Sequence, residues 1–229
     1  MVLFAYVCGM VPDAALNKVH QNNAQPQPIR VAARIISYIF HPLFVPLFLG
    51  WLFIYELRLF PERTGFQKTI VFIQFFVYYT FLPLVTTLLC KGLGFIESIH
   101  LRTQRDRILP YVVCEIFYFW AWYIFRNLHF PRIVVLFGLA VFLACSFGLI
   151  LNAYLKVSMH AISVGVLATV MVMAGMWTDA NYGPYIAAAF FIAGLTCTAR
   201  LIDSDHTTRE VYTGLFAGTL MTIIASFFV

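Results

Sequence analysis

Seven runs of mainly apolar residues follow one another along the chain, separated by short polar links. They are Ile35–Leu57, Thr69–Cys90, Leu109–Phe125, Ile133–Leu155, Val157–Trp177, Pro184–Thr198 and Val211–Val229. A membrane-spanning helix needs about 20 mainly apolar residues. The third and sixth runs are short, so their helices are expected to extend into flanking polar residues. Pro42, Pro46 and Pro83 lie inside the first two runs. Proline kinks a spanning helix but is tolerated where neighbours satisfy the freed carbonyl. The links Phe60–Lys68, Lys91–Ile108, Arg126–Arg132, Thr178–Gly183 and Arg200–Glu210 are short, which makes consecutive helices antiparallel neighbours. The pattern predicts an all-α, polytopic transmembrane helical bundle of six to seven spans over residues 33–229. A polar N-terminal tail, residues 1–32, is expected to be poorly ordered or a short surface helix.

Composition agrees with a bilayer environment. Apolar residues make up 62% of the chain, charged residues 11%, and the mean hydropathy is +0.85. A soluble domain carries about a quarter charged residues. The length of 229 residues accommodates one domain. The net charge of +5 resides in short links, where membrane proteins keep basic residues. No basic stretch is interleaved with aromatics, so nucleic acid is not an expected partner. Cys8, Cys90, Cys114, Cys145 and Cys197 lack metal-ligand spacing. The last four read as small buried hydrophobes. Met1–Val11 has no basic n-region and no convincing cleavage site follows, so no cleavable signal peptide is expected. The aromatic run Phe117–Trp122 reads as lipid-facing or packing.

Helix parity adds a spatial expectation. If the tail lies on side A, the links Lys91–Ile108, Leu155–Val157 and Arg200–Glu210 share that side, and the other links and the C-terminus lie on side B. Three polar clusters then meet. The first, His100 to Pro110, holds Arg102, Arg105 and Arg107. These could clamp an anion by bidentate hydrogen bonds, or anchor a helix end at the headgroups. The second is Ser158-Met159-His160-Ala161. Ser158 could cap the fifth helix, whose N-terminus favours phosphate, and His160 could hand a proton to a leaving group. Alternatively, His160 is an interfacial side chain with a wet tip. The third runs from Arg200 to Glu210 and includes Asp203, Asp205 and His206. Glu210 could orient His206 as a nucleophile, or form a capping box with Thr207. The two roles compete for one carboxylate.

These clusters resemble the motifs of the type 2 phosphatidic acid phosphatase family, which includes lipid phosphate phosphatases and shares a fold with vanadium haloperoxidases. The family pattern is Lys-x6-Arg-Pro, Pro-Ser-Gly-His and Ser-Arg-x5-His-x3-Asp. Here Arg200-x5-His206-x3-Glu210 resembles the third motif, with Glu for Asp and Ala199 for Ser. Ser158-Met159-His160 is similar to the second without its Pro and Gly. Arg107 occupies the arginine position of the first, with Pro110 displaced and His100 where Lys is expected. The stretches Arg105–Tyr111 and Ala199–Gly214 resemble a divergent membrane branch of this superfamily from Bacteroidetes-type bacteria.

The resemblance implies a phosphatase acting on a lipid phosphate or diphosphate, within a multi-pass protein of the bacterial inner membrane. His206 would form a phosphohistidine and Glu210 would orient it. His160 would protonate the leaving alkoxide and then activate water. Arg200 and Arg107, helped by Arg102 or Arg105, would neutralise phosphate oxygens, and Ser158 would add a hydrogen bond. Such chemistry rests on positioning and electrostatics, with no cofactor and no metal. The partners are a lipid phosphate substrate and the surrounding membrane lipids. Family members usually act on the outer face of the inner membrane, which implies a periplasmic site. Side A, however, carries ten of the 15 Lys and Arg residues, which by charge bias alone would be cytoplasmic. The alternative is a catalytically silent relative that binds a lipid head group or a protein partner. A transporter fits less well, because ionisable groups gather at one face rather than the midplane. Glu115 reads as a support for Arg107 or a structural hydrogen bond. Asn152 and Lys156 end the fourth run beside the second cluster, where Lys156 is an interfacial anchor or the missing cation.

Overall fold

A computed structural model describes residues 25–96, 104–178, 180–203 and 206–229. All regular structure among them is helical. This follows from the solvent: a backbone in hydrocarbon must satisfy its own N–H and C=O groups. Helix α1 spans Gln27–Ile39, and α2 spans Val45–Trp51 and runs into a π-helical turn, Leu52–Glu56. Helices α3 (Gly65–Phe76) and α4 (Leu82–Gly92) are joined by a second π turn, Val77–Phe81. Then come α5 (Gln104–Asn127), α6 (Arg132–Asn152), α7 (Met159–Met176), α8 (Gly183–Asp203) and α9 (Thr208–Ser226).

Five of these segments are long and apolar enough to cross a membrane: Gly65–Gly92, Arg107–Asn127, Arg132–Asn152, Met159–Met176 and Gly183–Asp203. As expected, α5 and α8 reach beyond their apolar runs into polar flanks. The α3–α4 rod stays continuous past Pro83. Its π turn lies where proline removes the donor to the carbonyl of Tyr79, so the local register change accommodates the missing bond.

The first apolar run departs from expectation. It is not one helix: α1 ends at Ile39, residues 40–44 turn, and α2 starts at Val45. Pro42 explains the break, since it lacks an N–H and disfavours helix for the residue before it. The twelve residues of α2 and its π turn rise about 18 Å, less than a hydrocarbon core of about 30 Å. Residues 27–32, read as tail, belong to α1. That helix is amphipathic in the reverse of the soluble sense. Val31, Ile35, Tyr38 and Ile39 are exposed, whereas Ala33 and Ser37 are buried. Its Arg34 forks onto Asp203 of α8 at 3.0 and 3.1 Å.

Helices α6 and α7 form the centre: 61% of the most apolar stretch of each is buried, against 28% for those of the α3–α4 rod, α5 and α8. Helix α9 lies along both. The α7–α9 seam depends on glycine. A Cβ on Gly165 would lie 2.5 Å from the Leu215 carbonyl, and one on Gly218 would collide with that of Ile162. One on Gly214 would lie 2.8 Å from the Ser158 carbonyl. Small residues allow this approach of backbones, as in other membrane helix pairs. The seam brings the start of α9 against the start of α7.

The parity expectation holds at both ends of the bundle. At side A, Gln104 and Asn152 exchange side-chain-to-carbonyl bonds at 2.8 Å each. At side B, Arg132 donates to the Val229 carbonyl at 2.9 and 3.1 Å and lies 3.8 Å over the Trp177 ring. Tyr185 there donates to Glu56 at 3.2 Å. The aromatic residues take both expected roles. Phe75, Phe125 and Phe130 stack in the core, while Phe119 and Trp120 are exposed. Cys90, Cys145 and Cys197 are buried and Cys114 is partly buried. Cys8 lies outside the described residues.

Candidate functional site

The site is built at the side A ends of α5, α7, α8 and α9. Thr207 starts α9: its Oγ1 accepts from the Glu210 N–H at 3.3 Å, and Glu210 Oε2 accepts from the Thr207 N–H at 2.9 Å. The same Oε2 lies 3.2 Å from His206 Nδ1. The competition anticipated between capping and orienting does not occur. His206 and Thr207 are adjacent, and one carboxylate oxygen has lone pairs for both donors. The bond to a carboxylate places the proton on Nδ1 and leaves the lone pair of the neutral ring on Nε2.

His206 is 7% exposed and Arg107 6% exposed. Burial holds His206 below the usual histidine range; the Glu210 bond opposes this, and the Arg107 and Arg200 guanidiniums push the same way as burial. The balance of these effects favours the neutral ring. Arg107 lies within electrostatic reach of Glu210 as well. It also donates to the Val157 carbonyl at 2.8 Å, tying α5 to the link before α7. Arg200, in the last turn of α8, acts on His160, His206 and a third histidine, His41.

Ser158 caps α7, accepting from the Ala161 N–H at 3.5 Å. Its own N–H donates to the Glu210 carbonyl at 3.3 Å, a direct link between the second and third clusters. His160 Nε2 lies 3.1 Å from the Ser37 carbonyl of α1, so the interfacial, wet-tipped alternative does not describe it. Thus His160, His206, Glu210, Arg107, Arg200 and Ser158 are brought together.

The remaining candidates fare differently. Arg105 is exposed, and two helical residues from Arg107 is a rotation of about 200°, so it points away from the cluster. Arg102 and His100 lie outside the described residues. Glu115 lies near Ser146 on α6, whose hydroxyl donates to the Phe142 carbonyl, and Glu115 Oε1 is buried without a hydrogen-bond partner among the described residues. Lys156 is half-buried and acts electrostatically on Glu210, while Asn152 is occupied with Gln104.

Sequence reasoning missed His41. Its ring meets His160 edge-to-face, with centroids 5.0 Å apart and planes at 88°. Its Nδ1 accepts from the Leu43 N–H at 3.3 Å. Burial, and then Arg200, push it down to about 4. An available signal was an ionisable residue within an apolar run, directly before a helix-breaking proline. Compared with family models, with curated proteins and with solved structures, the chain matches none of them.

Proposed function

We propose that this is a membrane phosphatase of the type 2 phosphatidic acid phosphatase kind, with six or seven spans, that hydrolyses a lipid phosphate or diphosphate. The observation that carries the reading is the 3.2 Å contact between His206 Nδ1 and Glu210 Oε2. It orients the nucleophile beside two guanidiniums and a second histidine, while burial favours its neutral form. Nε2 of His206 attacks phosphorus, a P–N bond forms and the P–O bond to the lipid breaks. Arg107 and Arg200 offset charge on the phosphoryl oxygens, which is the main task in phosphoryl transfer. His160 handles the proton of the leaving oxygen and then of the attacking water. Water cleaves the P–N bond and inorganic phosphate leaves. Glu210 stabilises the imidazolium formed when His206 is phosphorylated.

A silent relative that binds a lipid head group is the second reading. It is favoured by two donors already engaged within the fold: Arg107 on the Val157 carbonyl and His160 on the Ser37 carbonyl. Phosphate release from phosphatidic acid, phosphatidylglycerophosphate and polyprenyl phosphates or diphosphates separates the readings. The phosphatase reading expects turnover of one of them, abolished by His206→Ala. No turnover of any would favour the silent relative.

The proposed location is the bacterial inner membrane with the site on the periplasmic face. Glu62 lies in the α2–α3 link, at the other end of the bundle. An impermeant thiol reagent should then label a cysteine at Lys18 and spare one at Glu62. Labelling of Glu62→Cys alone would reject the periplasmic assignment.

A further inference from the structure

The corner between α1 and α2 reaches into the site, and no part of the proposed mechanism uses it. Ser37 lies in the last turn of α1, where helix carbonyls lack an intrahelical donor. Its carbonyl can only accept, so the 3.1 Å contact requires a proton on His160 Nε2. In the neutral ring, Nδ1 is then the lone-pair nitrogen. His41 stands on the same corner. The Leu43 N–H donates to its Nδ1, which places its own proton on Nε2. Its ring crosses that of His160 at 88° with a 5.0 Å centroid separation, a favoured edge-to-face geometry that restrains the plane of His160. Arg34 meets Asp203 of α8, the helix that supplies Arg200.

We infer that His41 and the Ser37 carbonyl form a positioning clamp on His160, fixing its Nε2–H tautomer and ring plane so that it exchanges protons with the substrate through Nδ1. The chemical part rests on the phosphatase reading; the clamp itself does not. A neutral Nδ1 accepts a proton before it gives one. In the first step it takes the proton of a singly protonated phosphate and passes it to the departing lipid oxygen as the P–O bond breaks. In the second it takes a proton from water as oxygen bonds to phosphorus and the P–N bond breaks. His41 touches neither reacting atom and acts through His160.

The test uses full-length protein with 15N-labelled histidine in nanodiscs at pH 7, with the His160 signals identified by their loss in His160→Gln. Long-range proton–nitrogen spectra should show His160 as a single Nε2–H tautomer. In His41→Ala the ring plane is freed and can swing off the Ser37 carbonyl, so both tautomers should appear, and in His41→Phe, which keeps an aromatic edge, the single tautomer should return. An Nδ1–H tautomer in the unmutated protein, or a His160 spectrum unmoved by His41→Ala, overturns the clamp whether or not the protein turns over.

Where turnover is present, His41→Ala should lower kcat about tenfold, within the range of general acid–base contributions, with KM changed less than about twofold if transition-state interactions alone are lost. His41→Phe should recover most of it. A change confined to KM overturns the assigned role. If no lipid phosphate is turned over, the proposed function fails while the spectra still decide the clamp.

Discussion

His206 Nδ1 and the Thr207 N–H converge on one atom, Glu210 Oε2, at 3.2 and 2.9 Å. Orientation of the His206 ring and initiation of α9 are therefore a single arrangement. Glu210→Gln separates them, because the chain already holds a working capping box with glutamine, Thr64 with Gln67. The variant should keep its unfolding free energy within about 1 kcal/mol of the original while phosphate release falls at least about tenfold. Glu210→Ala should lose activity and about 1–2 kcal/mol of stability together. Denaturant titration in detergent alongside a phosphate-release assay reads both. Equal activity in Glu210→Gln would remove the orienting charge from the mechanism.

The α7–α9 seam predicts opposite outcomes for two glycine substitutions. Gly218→Ala drives a methyl into the Ile162 carbonyl, and backbone cannot yield as a side-chain tip can. The expected loss is about 1–3 kcal/mol or more. Gly194, in α8, has open space where its Cβ would stand. Gly194→Ala should be neutral or stabilising by up to about 1 kcal/mol, because alanine is the better helix former. Thermal midpoints of the two proteins give the comparison directly.

Stability should fall on mild acidification. A histidine held below its unfolded value of about 6.5 stabilises the fold fully above that pH and loses the contribution as pH drops toward its folded value. For His41 that value is about 4. The gap corresponds to on the order of 3 kcal/mol lost between pH 7 and pH 4. His206 shifts in the same direction and adds to the effect. His41→Phe should flatten the dependence of the thermal midpoint on pH over this window. An equally steep decline in that variant would show that His41 is not its source.

The activity of the proposed phosphatase should persist below the pH at which an ordinary histidine nucleophile is lost. Protonation silences Nε2 of His206, and burial with two nearby guanidiniums places that protonation below the usual range. The acid limb of kcat/KM should therefore lie below about pH 6.5. Arg200→Gln removes one repelling cation and should move this limb upward, besides weakening phosphate binding.

The Arg34–Asp203 pair, although bidentate, should contribute little to global stability. Arg34 is 56% exposed in its side chain, and solvent screening and side-chain entropy leave an exposed pair little net worth. Arg34→Ala should lower the denaturant midpoint little if at all. A larger loss would mean that α1 is held chiefly by this contact.

Hydropathy alone was enough to place the later helices. Bilayer-length apolar runs can satisfy their backbones in few other ways, so α5 to α9 fall close to the runs that announced them. Parity then placed Arg107, Ser158, His160, Arg200, His206 and Glu210 at one end, because short links leave antiparallel packing as the simple option. The first run escaped this logic. Pro42 breaks it, but a proline in a spanning helix can kink or terminate it, and the packing of α1 against α8 decided which. The same packing carried His41 and the Ser37 carbonyl to His160 across more than one hundred residues of sequence. No local pattern encodes such a contact. Rotation about the helix axis decided the rest: Arg105 and Arg107 look alike in a motif, yet about 200° of helical turn leaves one exposed and buries the other. The sharing of Glu210 Oε2 between two donors was likewise a matter of ångströms, set by how the last residues before α9 approach its first turn.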